Sequence, residues 1–247
     1  MPIKMLQIPN PDGLADAFAA FPEDNDNGPY PGVLMYPDGF GIRPVLRDLA
    51  GELAAHGYCV LVPNFLYRHG PSPVVDLPEH IGEAARPAIM ERLMPLIMAH
   101  TAEQTLSDSA AYLDFLTARP EVADGPVAVT GYCIGGLLAT RTAVAHPGRV
   151  AALAAFHAPV GAAGPDTLQR LTARAHFGHA ESDLTPETLG ELNQILDDAG
   201  VDHTSEIYPG TVHGFTMSDT DAFDSEGLHR HWDRLLPLLA GTLTPKD

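Results

Sequence analysis

A cysteine in a glycine-rich turn is the residue of this sequence best suited to covalent chemistry. The stretch 131–136, Gly-Tyr-Cys-Ile-Gly-Gly, follows an apolar run that ends at Thr130 and precedes a helical segment over 137–146. Strand, tight turn and helix in this order form the G-x-S-x-G nucleophile elbow, here with Cys in place of Ser. The free N–H groups and dipole of the helix start favour a thiolate. We therefore predict that Cys133 is a nucleophile.

A cysteine nucleophile needs a base, and the base needs an acid that orients it. On this kind of elbow the order along the chain is nucleophile, acid, histidine. Asp183 follows a strand-like run at 173–178, and His213 follows another at 204–208. Both come after the carboxyl end of a strand, where open parallel sheets bind ligands. The sequence therefore predicts that Asp183 orients His213, which activates Cys133.

These residues also have ordinary structural interpretations. Buried, inert cysteines are common, and His213 is one of twelve histidines. Asp183 could simply begin the helix that starts near Pro186, and Glu181 or His179 could then be the acid. Cys59 lies in the middle of an apolar run, so we expect it to pack in the core.

Short apolar runs alternate with amphipathic segments along most of the chain. Continuous apolar runs of this length are typical of strands covered on both faces. They lie at 32–36, 58–62, 126–130 and 150–156. Leucines with helical spacing occur within 44–56, 106–116, 189–196 and 228–239. The pattern predicts an α/β fold with a mostly parallel, doubly wound sheet and helices on both faces.

Two segments depart from this rhythm. Turn-forming residues at 9–13 separate short apolar pieces and predict an N-terminal β-hairpin. The proline-rich segment at about 68–100 is expected to be an excursion with one helix, either a packed connection or a cover over the substrate. We treat residues 1–247 as one domain.

Together these motifs resemble the dienelactone hydrolase family. The resemblance rests on the elbow, on Glu-Ser-Asp at 181–183 followed by Pro186, and on Tyr-Pro-Gly-x-x-His-Gly-Phe at 208–215. Stretches 36–43 and 62–68 also match, so the likeness covers about 30–240. It implies an α/β-hydrolase fold and hydrolysis of a small ester or a dienelactone-like lactone through a thioester acyl-enzyme.

The resemblance also assigns roles around the nucleophile. An oxyanion hole would be formed by the backbone N–H groups of Ile134, which follows the nucleophile, and Gly39. Where the family usually has a Glu near the cysteine, this chain has Asp38. Asp38 could accept the thiol proton or keep the thiol neutral, or it could only cap its turn.

The substrates implied by the family carry a carboxylate. Arg43, Arg68 and Arg86 are the candidates to bind it, and each could equally be an ordinary surface or helix charge.

Composition narrows the classes of partner. Fourteen Lys and Arg against 32 Asp and Glu give a formal charge of −18, which repels nucleic acid and anionic membranes. Two dissimilar cysteines and an N-terminus without a long apolar core suggest a reducing, cytoplasmic location. The close histidine pairs do not converge, so no metal or cofactor is expected. Oligomeric state cannot be read from the sequence.

Two other functions fit the same residues. One is a carboxylesterase or thioesterase with a broader pocket. The other is a protein without catalysis, in which Cys133 senses oxidants, because hydrolase folds are reused for binding.

Overall fold

The N-terminal segment forms the predicted hairpin, which extends the sheet at one edge. The computed structural model describes residues 1–23 and 28–243, so residues 24–27 and 244–247 of the predicted domain lie outside it. The eight strands are β1 (Ile3–Asn10), β2 (Gly13–Ala20), β3 (Gly32–Tyr36), β4 (Cys59–Pro63), β5 (Val127–Tyr132), β6 (Val150–Phe156), β7 (Arg174–Ala180) and β8 (His203–Tyr208).

All eight strands belong to one sheet in the order β1-β2-β4-β3-β5-β6-β7-β8. The β1–β2 and β2–β4 pairs are antiparallel, whereas every pair from β4 to β8 is parallel. The carboxyl ends of β3 to β8 therefore meet at one edge of the sheet. This matches the predicted mostly parallel, doubly wound architecture.

Helices cover both faces of the sheet. They are α1 (Pro44–Ala55), α2 (Arg86–Ala99), α3 (Ala102–Thr117), α4 (Ile134–Ala145), the one-turn α5 (Pro165–Leu168), α6 (Pro186–Asp198) and α7 (Ser225–Leu243). Residues of α1 and α7 share one buried cluster with Val33, and residues of α2, α3, α4 and α6 share the other with Leu34. Successive strand residues enter opposite clusters because side chains alternate across a strand.

The proline-rich excursion contains the one predicted helix, α2, after a 3-10 turn at Tyr67–His69. Ile89, Leu93 and Ile97 bury one side of α2 against the core. Met94 and Met98 stay partly exposed. Within residues 1–23 and 28–243, no helix has both the length and the apolar character needed to span a membrane.

Candidate active site

Cys133 lies on a strained turn between β5 and α4. Its backbone has φ 53° and ψ −125°, in the region that side-chain-bearing residues rarely adopt. The flanking glycines make the turn sterically feasible. A Cβ on Gly131 would lie 2.2 Å from the carbonyl oxygen of Gly135, and a Cβ on Gly135 would lie 2.2 Å from that of Pro37. The glycines therefore let the elbow pack directly against the end of β3.

His213 and Asp183 meet beside this elbow. The Nδ1 atom of His213 is 2.6 Å from Oδ2 of Asp183. Ser182 fixes the pair, because its Oγ accepts the backbone N–H of His213 at 2.9 Å and donates to Asp183 Oδ1 at 3.1 Å. The other two acid candidates are engaged elsewhere. Glu181 accepts the N–H of Gly210 at 2.6 Å, and His179 contacts Ser205 at 3.2 Å.

The environment of His213 strongly favours its imidazolium form. Burial by itself would lower the pKa of His213, but hydrogen bonds to Asp183 and Cys133, together with their charges, outweigh burial and raise this pKa to about 10. A histidine that bonds an acid and lies beside a thiol in the same cavity is arranged to exchange a proton with the thiol.

The remaining cysteine has a different setting. Cys59 is 1% exposed in β4, and its thiol donates to the carbonyl oxygen of Glu121 at 3.2 Å. Burial, with the nearby charge of Glu121, raises the pKa of Cys59 to about 12. Cys59 is therefore core packing, as the sequence indicated.

Two backbone N–H groups are available near the thiol. Ile134 is the first residue of α4, and Gly39 lines the same cavity as Cys133. In the part of the chain that the structure describes, neither N–H donates a hydrogen bond. The first N–H groups of a helix have no intrahelical acceptor, so that of Ile134 is free for a ligand.

Cys133, Asp183 and His213 open into a large cavity of about 1140 Å³. Met90, Met94 and Met98 of α2 form part of its wall. The excursion is thus both a packed element and a cover over the site.

The loop after β3 is tied down by a buried ionic cluster. Arg43 donates to both oxygens of Asp38, at 2.6 and 2.9 Å, and also to both oxygens of Asp219, at 2.6 and 3.2 Å. Asp38 lines the cavity, but the hydrogen bonds of the described residues include none between Asp38 and Cys133. The carboxylate that the sequence suggested as a partner of the thiol is instead paired with Arg43.

The three arginines expected to bind a substrate carboxylate occupy different surroundings. Arg43 is held by Asp38 and Asp219, and Arg68 is held by Asp108 and Asp12 at 2.6 and 2.8 Å, outside the cavity lining. Carboxylates of the protein therefore already occupy both of these guanidinium groups. Arg86 does line the cavity.

Two cavity residues escaped the sequence analysis. His157 follows β6 with φ 39°, is 0% exposed, and packs edge-on against His213 with ring centroids 5.2 Å apart. Its Nε2 bonds Thr216 Oγ1 at 2.8 Å. Burial, with the charge of His213, holds the pKa of His157 well below its usual value, so a neutral ring supports the charged one. The other missed residue is Arg141, which lines the same cavity. The position of His157 at a strand end was the signal that could have identified it.

Comparisons with known proteins relate the chain to one family. A model of the dienelactone hydrolase family matches residues 15–243. A carboxymethylenebutenolidase of Rhodococcus opacus is 25% identical over 233 residues, covering 89% of this chain and 84% of that protein. A dienelactone hydrolase-like promiscuous phosphotriesterase from metagenomic libraries has a TM-score of 0.78 at 21% identity, covering 99% of this chain and all of that one (100%). The dienelactone hydrolase of Anabaena variabilis ATCC 29413 has a TM-score of 0.69 at 16% identity, covering 98% and 99%. This chain belongs to the dienelactone hydrolase family and is a carboxylic ester hydrolase with the α/β-hydrolase fold.

Proposed function

We propose that this protein hydrolyses small esters or lactones through Cys133, His213 and Asp183, with a thioester acyl-enzyme as intermediate. The observation that carries the proposal is the position of His213, which hydrogen-bonds Asp183 through Nδ1 and lines the same cavity as Cys133, close enough for the charge of Cys133 to act on its pKa. The raised pKa of His213 supports an imidazolium at neutral pH, and a cation beside Cys133 favours the nucleophilic form of the thiol.

In the acylation step the Cys133 thiolate attacks the carbonyl carbon and forms a C–S bond. The carbonyl electron pair moves onto oxygen, where the N–H groups of Ile134 and Gly39 stabilise it. Collapse of this intermediate breaks the C–O bond, and the leaving alkoxide takes the proton of His213. From an ester the products are a free alcohol and the acyl thioester. From a lactone there is one product, the thioester of the opened chain, which carries the new hydroxyl group.

Deacylation depends on a change in His213 that acylation itself causes. Part of the high pKa of His213 comes from the charge of Cys133 and its hydrogen bond, and the thioester no longer supplies either. His213 is then more easily neutral, so it can take a proton from water while the water oxygen attacks the thioester. Collapse releases the thiolate and a carboxylic acid, and the imidazolium–thiolate pair is restored.

We assign Asp38 a positioning role through Arg43. Asp38 Oδ1 accepts the N–H of Phe40 at 3.1 Å, and both carboxylate oxygens bond Arg43. These bonds support the loop that presents Gly39. In this role Asp38 acts on the oxyanion hole and leaves the protonation of Cys133 to His213.

For the substrate, two candidates follow from the site. The family name and the carboxymethylenebutenolidase relative favour a dienelactone-like lactone, with Arg86 as the carboxylate ligand near the triad. The cavity of about 1140 Å³ is larger than a small lactone needs and favours a broader carboxylesterase or thioesterase activity.

The central experiment assays cis-dienelactone and nitrophenyl esters before and after stoichiometric iodoacetamide, and maps the alkylated cysteine. We expect alkylation at Cys133 with activity lost in step. Cys133→Ala should abolish hydrolysis, whereas the matched variant Cys59→Ala should keep both activity and alkylation. Alkylation of Cys59 in step with inactivation, or turnover by Cys133→Ala, would refute the proposal. A preference for nitrophenyl esters over the lactone would select the broader activity.

A further inference from the structure

One face of α4 runs from the nucleophile to an arginine that lines the same cavity. Ile134, Leu137 and Arg141 have the helical spacing i, i+3, i+7, so they lie on the same face of α4, and all three line the cavity. Arg141 lies eight positions after Cys133, which corresponds to about 12 Å along the helix axis. The cavity therefore extends from the reacting carbonyl to a second polar position well beyond it.

Arg141 carries a charge that no ion pair of the described residues neutralises. Within residues 1–23 and 28–243, Arg141 makes neither an ion pair nor a hydrogen bond, in contrast to Arg43 and Arg68. Burial lowers the pKa of Arg141, and the charge of Glu103 partly opposes this effect. Glu103 itself is exposed at the start of α3. The formal charge of −18 repels anions, so an anionic ligand needs a local cation. The half-buried guanidinium of Arg141 can be that cation.

The wall between the thiol and Arg141 is apolar. Leu137 of α4 lies between them along the helix, and Met94, Ile97 and Met98 of α2 line the same cavity. Methionines adapt to substrates of different shape, because their side chains are unbranched and polarizable. An apolar wall with a cation two helical turns from the nucleophile fits a molecule with a hydrocarbon spacer and a terminal anion.

Arg86 occupies a different part of the cavity. The Cβ position of Gly214, next to His213, lies 3.9 Å from Nη1 of Arg86. Arg86 is therefore placed beside the triad, whereas Arg141 lies two helical turns away from the nucleophile. The two arginines would bind anionic groups at different distances from the scissile bond.

From these observations we infer that the cavity accepts elongated esters whose acyl chain ends in a carboxylate, and that Arg141 binds this carboxylate. The inference rests on the proposed hydrolysis at Cys133. Because helical side chains lean toward the N-terminus, the carbonyl-to-carboxylate span is on the order of 10 Å. At about 1.2 Å per bond, as in an extended chain, this is roughly eight bonds.

The test uses nitrophenyl half-esters of succinic, adipic, suberic and azelaic acids. For each length, the control is the nitrophenyl ester that ends in a primary amide, which has the same shape without the charge. The measured quantity is the ratio of kcat/KM between the acid-ended and amide-ended esters. The enzymes are the wild type, R141Q, R141E, R86Q and R92Q. Arg92 is an exposed residue of α2 outside the cavity lining, so R92Q removes the same charge elsewhere.

We expect the ratio to rise with length to about tenfold for suberate and azelate in the wild type and R92Q, since a hydrogen-bonded ion pair of this kind is worth about one decade. R141Q should bring the ratio for the long esters close to one, and R141E should bring it below one. R86Q should change mainly the ratio for succinate.

The assignment of Arg141 would be overturned if the acid-to-amide ratio of kcat/KM for the long esters stayed high in R141Q. It would also be overturned if this ratio did not depend on chain length in the wild type. These outcomes are separate from a failure of the proposed chemistry. If the wild type hydrolysed neither ester type, or if Cys133→Ala kept the activity, the acyl-enzyme mechanism would be the part that fails.

Discussion

The ionic cluster beneath the site leads to a sharp prediction about Asp38 and Arg43. Asp38 is 4% exposed and Arg43 is 6% exposed, so each charge depends on the other for stabilisation. We consider Arg43→Met, Asp38→Asn and the double variant. Arg43→Met leaves a buried carboxylate whose remaining donor is the N–H of Phe40 at 3.1 Å. Asp38→Asn is milder, because Arg43 keeps Asp219 and the carbonyl oxygen of Gly41.

The magnitudes follow from these contacts. Removing one partner of a buried ion pair costs about 3–5 kcal/mol, which we expect for Arg43→Met. Losing one charge-assisted hydrogen-bonded pair while the other remains costs about 1–3 kcal/mol, which we expect for Asp38→Asn. The double variant no longer contains the unpaired carboxylate of Asp38. Its loss of unfolding free energy should therefore be smaller than the sum for the two single variants by about 2 kcal/mol.

The free energy of unfolding from urea titrations gives this coupling directly. Kinetics provide the second measurement. The loop of Asp38 also presents Gly39, so both single variants should lower kcat, by up to about 10²–10³-fold if the oxyanion donor is lost. Iodoacetamide should alkylate Cys133 at rates close to that of the wild type in each variant.

Additive stabilities would show that Asp38 and Arg43 do not depend on each other. A change in the pH dependence of thiol alkylation in Asp38→Asn, without one in Arg43→Met, would show that Asp38 acts on the thiol itself. Either result would refute the positioning role.

Three further predictions concern the elbow, the base and the buried histidines. Gly135→Ala should cost about 1–3 kcal/mol of unfolding free energy by overpacking, because its Cβ would lie 2.2 Å from the carbonyl oxygen of Pro37. Gly51→Ala in α1, which has open space, should instead be neutral or stabilising by up to about 1 kcal/mol in the same urea titration. His157→Ala should lower kcat by as much as about 100-fold and shift the pH profile of kcat. His157→Phe keeps a ring against His213 and should lower kcat less. Equal losses in the two variants would refute the packing role of His157. Burial lowers the pKa of His231 to about 3, so between this pH and about 6.5 the unfolded chain binds a proton that the folded chain does not bind. The free energy of unfolding should therefore fall below pH 6.5, by up to about 1.4 kcal/mol per pH unit for this residue. Melting temperatures that stay constant from pH 7 to 4.5 would contradict this.

The elements and the residues at strand ends could be predicted from the sequence because both depend on local patterns. The apolar runs at 32–36 and 150–156 match β3 and β6 residue for residue, since strands covered on both faces must be continuously apolar. The elbow was predictable because glycine is needed wherever backbone approaches this closely. Asp183 and His213 followed from their places after strands and from their order along the chain.

The ion pairs could not be predicted in the same way. Arg43 and Asp219 are 176 positions apart, and nothing local in the sequence distinguishes a paired arginine from a free one. Arg141 was different, because its spacing from Cys133 and its place on an otherwise apolar face of α4 were visible in the sequence. The sequence does not show that this face of α4 lines a cavity, because residues of α2, which are distant along the chain, form another part of the wall.

The order of these parts along the chain has a consequence for biosynthesis. The Cys133 elbow emerges from the ribosome with the β3–β5 region. Asp183 follows later, in the loop after β7, and His213 and Asp219 follow in the loop after β8. A nascent chain that has reached only α4 carries the thiol without its base, and Arg43 without one of its two carboxylates. Docking of the C-terminal segments therefore completes the ionic cluster and the hydrogen bond between His213 and Asp183 together. Premature termination before His213 should yield a product without hydrolase activity, even if its elbow has already formed.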